Sequence, residues 1–141
     1  MPCLEMTLPK IDDSTKTELA ARLTSAFADV TGFPADIFGI CFKEYERGNA
    51  ASGGKIWHGG ESRPYLHFVL FTSRTKRSVK QSLVDKFTTV FIDVIGNPDW
   101  KPVVHITEFP YDNVGVDGQL LSDQYDECKN RNFYYDVTDE E

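Results

Sequence analysis

The sequence predicts an α/β fold in which two β-α-β repeats build one four-stranded sheet with both helices on one face. Three observations carry this reading. The chain matches itself when shifted by 64 positions, each copy holds one apolar stripe of helical period, and short apolar runs of strand character flank each stripe.

Cys3 to Leu8 reads as the first strand, rich in apolar side chains. In the first helix Leu19, Leu23, Phe27 and Val30 recur at i, i+4, i+8 and i+11, the spacing of one buried face. Gly32 suits the left-handed residue that closes a helix, and Pro34 cannot continue one. A second strand ends in Phe42-Lys43-Glu44-Tyr45. Residues 47–64 form a central loop broken by Gly53-Gly54 and Gly59-Gly60, with room for a short hairpin.

Tyr65 to Thr72 opens the second copy as a strand. Leu83, Phe87, Phe91 and Val94 repeat the helical stripe, Lys80 and Asp93 fall on Lys16 and Asp29, and Gly96 with Pro98 repeats the stop. Ile106-Thr107-Glu108-Phe109 then matches residues 42–45. The repeats span about 2–46 and 65–110, with an extension over 111–141, in a single domain. A helical crossover joins parallel strands, and one stripe per helix places both helices on the same side of the sheet. Leu4, Met6, Ile40, Phe42, Phe68 and Leu70 give the sheet more apolar surface than helices on one side are expected to shield, which points to an oligomer.

The composition narrows the function classes. A formal net charge of -7 argues against nucleic acid or an anionic membrane as partner, because phosphate binding needs a concentrated positive surface. Cys3, Cys41 and Cys128 are odd in number and form no CxxC pair, so neither a disulfide framework nor a zinc site is indicated, and a reducing, cytoplasmic setting is expected. No secretory signal and no membrane-spanning apolar run is visible, and Asp139, Glu140 and Glu141 read as a solvated tail. Dinucleotide, P-loop, GxSxG and HExxH motifs are missing, and His58, His67 and His105 lack metal-ligand spacing, so neither cofactor nor metal is expected.

Two features can carry chemistry on this scaffold. Removal of Met1 would leave Pro2 with a secondary α-amine beside a strand, a group able to shuttle one proton near neutral pH. Arg74 and Arg77 bracket the junction between the second-copy strand and helix, where a guanidinium pair beside a helix N-terminus suits a carboxylate. His105, a polar ring inside the last strand, either packs with a hydrogen bond or points into a site. Trp57 and Trp100 suit packing more than a pocket wall.

Pro2, the duplicated unit and the cationic pair together resemble the tautomerase superfamily, and the pattern is similar to its cis-3-chloroacrylic acid dehalogenase-like branch. The resemblance runs from Pro2 to about Leu121, including Gly48-Asn49, Gly53-Gly54 and Gly59-Gly60 of the linker and Val104 to Pro110 at the exit. It implies a homotrimer, Pro2 as the proton-transfer group, and Arg74 and Arg77 as the grip on a small carboxylate substrate. Where that branch activates water with a tyrosine and a glutamate and carries a histidine on the first helix, this chain has His105, Val116 and Phe27. His105 can still serve as a second proton donor, and Asp112 or Asp117 can approach from the exit loop. The expected activity is therefore cofactor-independent tautomerisation of a small unsaturated 2-oxo or 2-hydroxy carboxylate. Haloacrylate dehalogenation or hydration is the enzymatic alternative, and a non-enzymatic binding protein of the same fold the other. Asn113-Val114-Gly115 also resembles a stretch of the macrophage migration inhibitory factor branch.

Overall fold

The computed structural model describes residues 2–60 and 62–124. Met1, Cys128 and the acidic Asp139, Glu140 and Glu141 fall outside the described residues. In chain order the elements are β1 (Cys3–Pro9), α1 (Asp13–Thr31), β2 (Gly39–Tyr45), β3 (Ala51–Ser52), β4 (Lys55–Ile56), β5 (His67–Ser73), α2 (Arg77–Ile95), β6 (Val103–Phe109), β7 (Gly115–Val116), β8 (Gln119–Leu120) and α3 (Leu121–Gln124). The main sheet runs β2-β1-β5-β6. β1 pairs with β2, and β5 with β6, in parallel, as helical crossovers require. The two repeats meet through the antiparallel pair β1–β5, in which Glu5 lies opposite Val69. Those two residues occupy the same position in their respective repeats, so the internal two-fold axis passes through the centre of the sheet.

Both helices lie on one side of the sheet. Leu4, Met6 and Leu8 of β1 and Phe68 and Leu70 of β5 are fully buried against Leu19, Leu23 and Phe27 of α1 and Leu83, Phe87 and Phe91 of α2. Each such side chain contributes about 1.5–3 kcal/mol relative to exposure. Phe27 stacks on Phe38 with ring centroids 4.2 Å apart. Each helix closes on a glycine in the left-handed region, Gly32 at φ 77° and Gly96 at φ 80°. Arg22 of α1 reaches Asp93 of α2 at 2.7 Å across the outer surface.

One expectation is corrected here. The six apolar residues that suggested an uncovered sheet face all lie on the helix side: Leu4, Met6, Phe68 and Leu70 are fully buried there, and Ile40 and Phe42 pack against the same core. Side chains alternate along a strand, so the bare face carries the intervening residues. It is mixed: Val69, Phe71 and Val103 share it with Glu5, Lys43, His67 and His105. The Lys43 ammonium meets the Glu5 carboxylate there at 2.7 Å.

The repeat also reproduces a polar clasp. The Glu44 carboxylate accepts from the Ile11 backbone N–H at 2.7 Å and from Lys16 Nζ at 2.9 Å. The Glu108 carboxylate does the same for the Thr75 backbone N–H at 2.8 Å and Lys80 Nζ at 2.7 Å. Each carboxylate ties the end of a parallel strand to the loop that opens its helix. Between the repeats, the β3–β4 hairpin occupies the central loop, and Trp57 packs edge-on between Tyr45 and Trp100. The strand opening the second copy begins at His67, because Leu66 has already left the ladder except for its carbonyl, which accepts from the Val103 N–H.

Candidate active site

β1 starts with Pro2 just outside the ladder. Its side chain is buried, and its carbonyl accepts from the Gly39 N–H at 3.1 Å. Continuing the β1–β5 register by one pair brings Pro2 opposite Thr72, near the C-terminal end of β5. Arg74 follows two residues later, about 7 Å further along an extended chain. Arg74 is half-buried and Arg77, in the first turn of α2, is exposed. The Glu108 clasp falls on Thr75, between the two arginines, and holds the turn that presents them. The structure therefore brings Pro2, Arg74 and Arg77 to one end of the sheet.

The opposite end holds the same positions of the other repeat, and its chemistry differs. Leu66 stands where Pro2 does, Lys10 where Arg74 does, and Asp12-Asp13 where Lys76-Arg77 do. The Asp12 carboxylate caps α1 by accepting from the Thr15 N–H at 2.8 Å, whereas Lys76 gives α2 no side-chain cap. That hydrogen bonding holds the Asp12 carboxyl below its usual range. One helix start is filled by its own anion and the other is ringed with cations, so the duplication leaves a single end suited to an external carboxylate.

His105 does not join Pro2 within one chain. It pairs with Val69, which lies opposite Glu5, three residues along β1 from Pro2. That is about 10 Å along the strand and two strand spacings across. Its Nδ1 lies 2.7 Å from Nε2 of His67, with the rings edge to face. The spacing of the histidines in the sequence does not show this contact; the pairing of β5 with β6 is what brings the two rings together.

Other candidates find structural roles. Phe27, at the position of the branch's first-helix histidine, is fully buried in the core. Val116 belongs to the β7–β8 hairpin, and its carbonyl accepts from Gln124 Nε2 at 2.9 Å. Asp117 is exposed at φ 55° and, with Gly118 at φ 80°, makes the tight turn of that hairpin. Asp112 is exposed in a 3-10 turn. Cys3, next to Pro2, has its thiol pushed up by burial and then by Glu5, which disfavours the nucleophilic thiolate. Among the described residues no cluster of three or more His, Cys, Asp or Glu side chains could hold a metal, and no helix is long and apolar enough to cross a membrane.

Comparison with known proteins agrees with the fold. Residues 64–124 match the model of the tautomerase enzyme family. No curated protein sequence matches the chain. Among solved structures, a native fused 4-OT is similar at 27% identity, with a TM-score of 0.76 over 84% of this chain and 95% of that one. A second fused 4-OT, an asymmetric trimer, is similar at 23% identity and a TM-score of 0.76, over 86% of this chain and 98% of the other. A member of the cis-3-chloroacrylic acid dehalogenase family shares the fold at 21% identity and a TM-score of 0.72, over 84% of this chain and 82% of that one. The chain is thus similar to the tautomerase family in the sequence of its second repeat and to tautomerase-superfamily structures in its fold.

Proposed function

We propose that the chain is a cofactor-independent tautomerase acting on a small unsaturated 2-oxo or 2-hydroxy carboxylate. The observation that carries this reading is the convergence of Pro2, Arg74 and Arg77 at one sheet end, set against the Leu66, Lys10 and Asp13 of the otherwise equivalent end. With Met1 removed, the Pro2 amine takes a proton from the enol oxygen and returns one to carbon. Arg74 and Arg77 hold the carboxylate and steady the enolate that develops between the two steps. Phe38 stacks on Phe27 and precedes the Gly39 whose N–H donates to the Pro2 carbonyl, so β2 fixes the strand end that carries the amine.

Phe27 favours tautomerisation over water addition, since a fully buried phenyl ring cannot bind or activate water. His105 enters the mechanism as a second proton donor only across a protomer boundary, in a homotrimer of the kind the asymmetric fused 4-OT forms. Proton shuttling by Pro2 does not require it.

The reading is tested by comparing Met1-free protein with the same chain carrying one additional residue before Pro2, using ketonisation of an aryl 2-hydroxy acid enol as the assay. Intact mass verifies each N-terminus. The free amine is expected to ketonise the enol well above the uncatalysed rate, and the blocked chain to fall to it. Equal rates for the two would remove Pro2 from the chemistry.

A further inference from the structure

The duplication sets two equivalent residue pairs at opposite ends of the β1–β5 ladder. Continuing the register by one pair at each end brings Pro2 opposite Thr72 and Leu8 opposite Leu66. Leu66 is the repeat counterpart of Pro2, and Leu8 that of Thr72. We propose that Thr72 is the positioning residue of the Pro2 amine: its hydroxyl oxygen accepts one amine N–H, which turns the lone pair toward a substrate held by Arg74 and Arg77. The inference rests on the reading of Pro2 as a free amine and extends it to a residue that reading does not use.

Burial and the comparison of the two ends carry it. Thr72 alternates along β5 with Phe68 and Leu70, so its side chain lies on the helix side of the sheet, as does the buried Pro2 ring in line with Leu4 and Met6. Directly opposed residues of an antiparallel pair have Cβ atoms about 4.5–5.5 Å apart, which puts a threonine hydroxyl within reach of its neighbour's ring nitrogen. Thr72 is 2% exposed, and among the described residues only Ser122 is a second buried polar side chain. A hydroxyl in such a place is unfavourable unless it is hydrogen-bonded, and a valine of the same shape would serve packing as well or better. The hydrogen bonds of this sheet end run from Thr75 and Lys80 to the Glu108 carboxylate and from Gly39 to the Pro2 carbonyl, and the Thr72 hydroxyl is in none of them. At the end with no amine the same two places hold Leu8 and Leu66, both buried and both apolar. The hydroxyl therefore goes with the proline and not with the fold. A hydroxyl oxygen can accept from the amine in either protonation state, and the bond strengthens when the amine is charged.

The test reads the amine itself. Met1-free protein labelled with 15N-proline is titrated by NMR as wild type, Thr72→Val and Thr72→Ser; of the seven prolines only Pro2 carries a titrating nitrogen. The ionisable groups around this end are Cys3, Cys41, Asp36, Arg74, Lys76, Arg77 and Glu108 with its Lys80, and every variant keeps all of them. Losing an acceptor disfavours the charged amine, so Thr72→Val should lower its titration midpoint by about one unit, and Thr72→Ser should restore it. Enol ketonisation on the same samples should show kcat reduced about tenfold or more in Thr72→Val with KM nearly unchanged, since the carboxylate grip is intact. Tm should be unchanged or higher in Thr72→Val, as for a hydroxyl with no structural partner. The amide spectrum reports folding, and Thr72→Ala repeats the hydroxyl removal should the valine variant lose its fold. An unchanged midpoint in the folded variant that lacks the hydroxyl, or a shift that serine does not restore, would overturn the proposal even if Pro2 ketonises the enol. A restored shift in protein that ketonises nothing would uphold the contact and remove the tautomerase reading instead.

Discussion

Replacing Glu108 by Ala and, in a separate protein, Glu44 by Ala uses the duplication as its own control. Each carboxylate accepts a backbone N–H at the helix-opening loop and one lysine ammonium. A hydrogen bond to a charged group is worth about 1.5–3 kcal/mol when well shielded. The Glu44 and Glu108 side chains are 20% and 24% exposed, so the lower end applies and the ion pairs themselves add little. Each substitution should therefore cost about 1.5 kcal/mol, which in a chain of this length lowers Tm by about 5 °C. Activity should separate the two variants. Glu108 fixes the Thr75 N–H between Arg74 and Arg77, and a displacement of about 1 Å in such a grip can cost about a hundredfold in rate. Glu44 fixes Ile11 at the end that has no proline. Thermal melts and enol ketonisation on the same samples are the assay. Similar losses of Tm with a rate loss confined to Glu108→Ala is the expected outcome; equal rate losses, or full activity in Glu108→Ala, would refute the link between clasp and site.

Other substitutions test the remaining links. Phe27→Ala should destabilise the chain by about 3–5 kcal/mol in chemical denaturation, since it empties a fully buried position beside Phe38. Arg77→Ala should raise KM for a 2-hydroxy acid enol at least tenfold while leaving Tm nearly unchanged, because Arg77 is exposed. The Glu44 carboxyl is held below its usual range by Lys16 and then by the Ile11 N–H. A depressed carboxyl stabilises fully above its unfolded pKa, about 4.3, and loses that contribution as pH falls through the lower folded value. The Tm difference between wild type and Glu44→Gln should therefore be constant at neutral pH and shrink in acid melts.

Most of the architecture is written in the spacing of residues. The stripe through Leu19, Leu23 and Phe27 and its copy through Leu83, Phe87 and Phe91 are the buried helix faces, because a helix has one way to bury a stripe of that period. Strand faces were harder to read. β1 holds Leu4, Met6 and Leu8 on one side and Cys3, Glu5 and Thr7 on the other, but β5 carries Val69 and Phe71 opposite Phe68 and Leu70, so hydropathy alone does not say which side meets the helices. Register decides it. The matches Lys16 with Lys80 and Glu44 with Glu108 were visible, yet the clasp they form depends on a parallel pairing that brings together residues 28 positions apart. The same holds for His67 and His105, which are 38 positions apart. A signal for both was available: polar residues recurring at equivalent places in two repeats, or falling on the same face of neighbouring strands two residues out of register. Pro2, Arg74 and Arg77 could be named from sequence because each is an unusual residue at an element boundary, and it took the antiparallel β1–β5 pairing to bring them to one end.

The most direct measurement is the ketonisation rate of an aryl or dienyl 2-hydroxy acid enol by Met1-free wild type and by Pro2→Ala at matched concentration. Pro2→Ala replaces the constrained secondary amine with an ordinary primary one while leaving Arg74, Arg77 and the core in place. The expected result is fast wild-type ketonisation and a variant reduced to the uncatalysed rate. Indistinguishable rates would contradict a proline-centred site, whatever the fold.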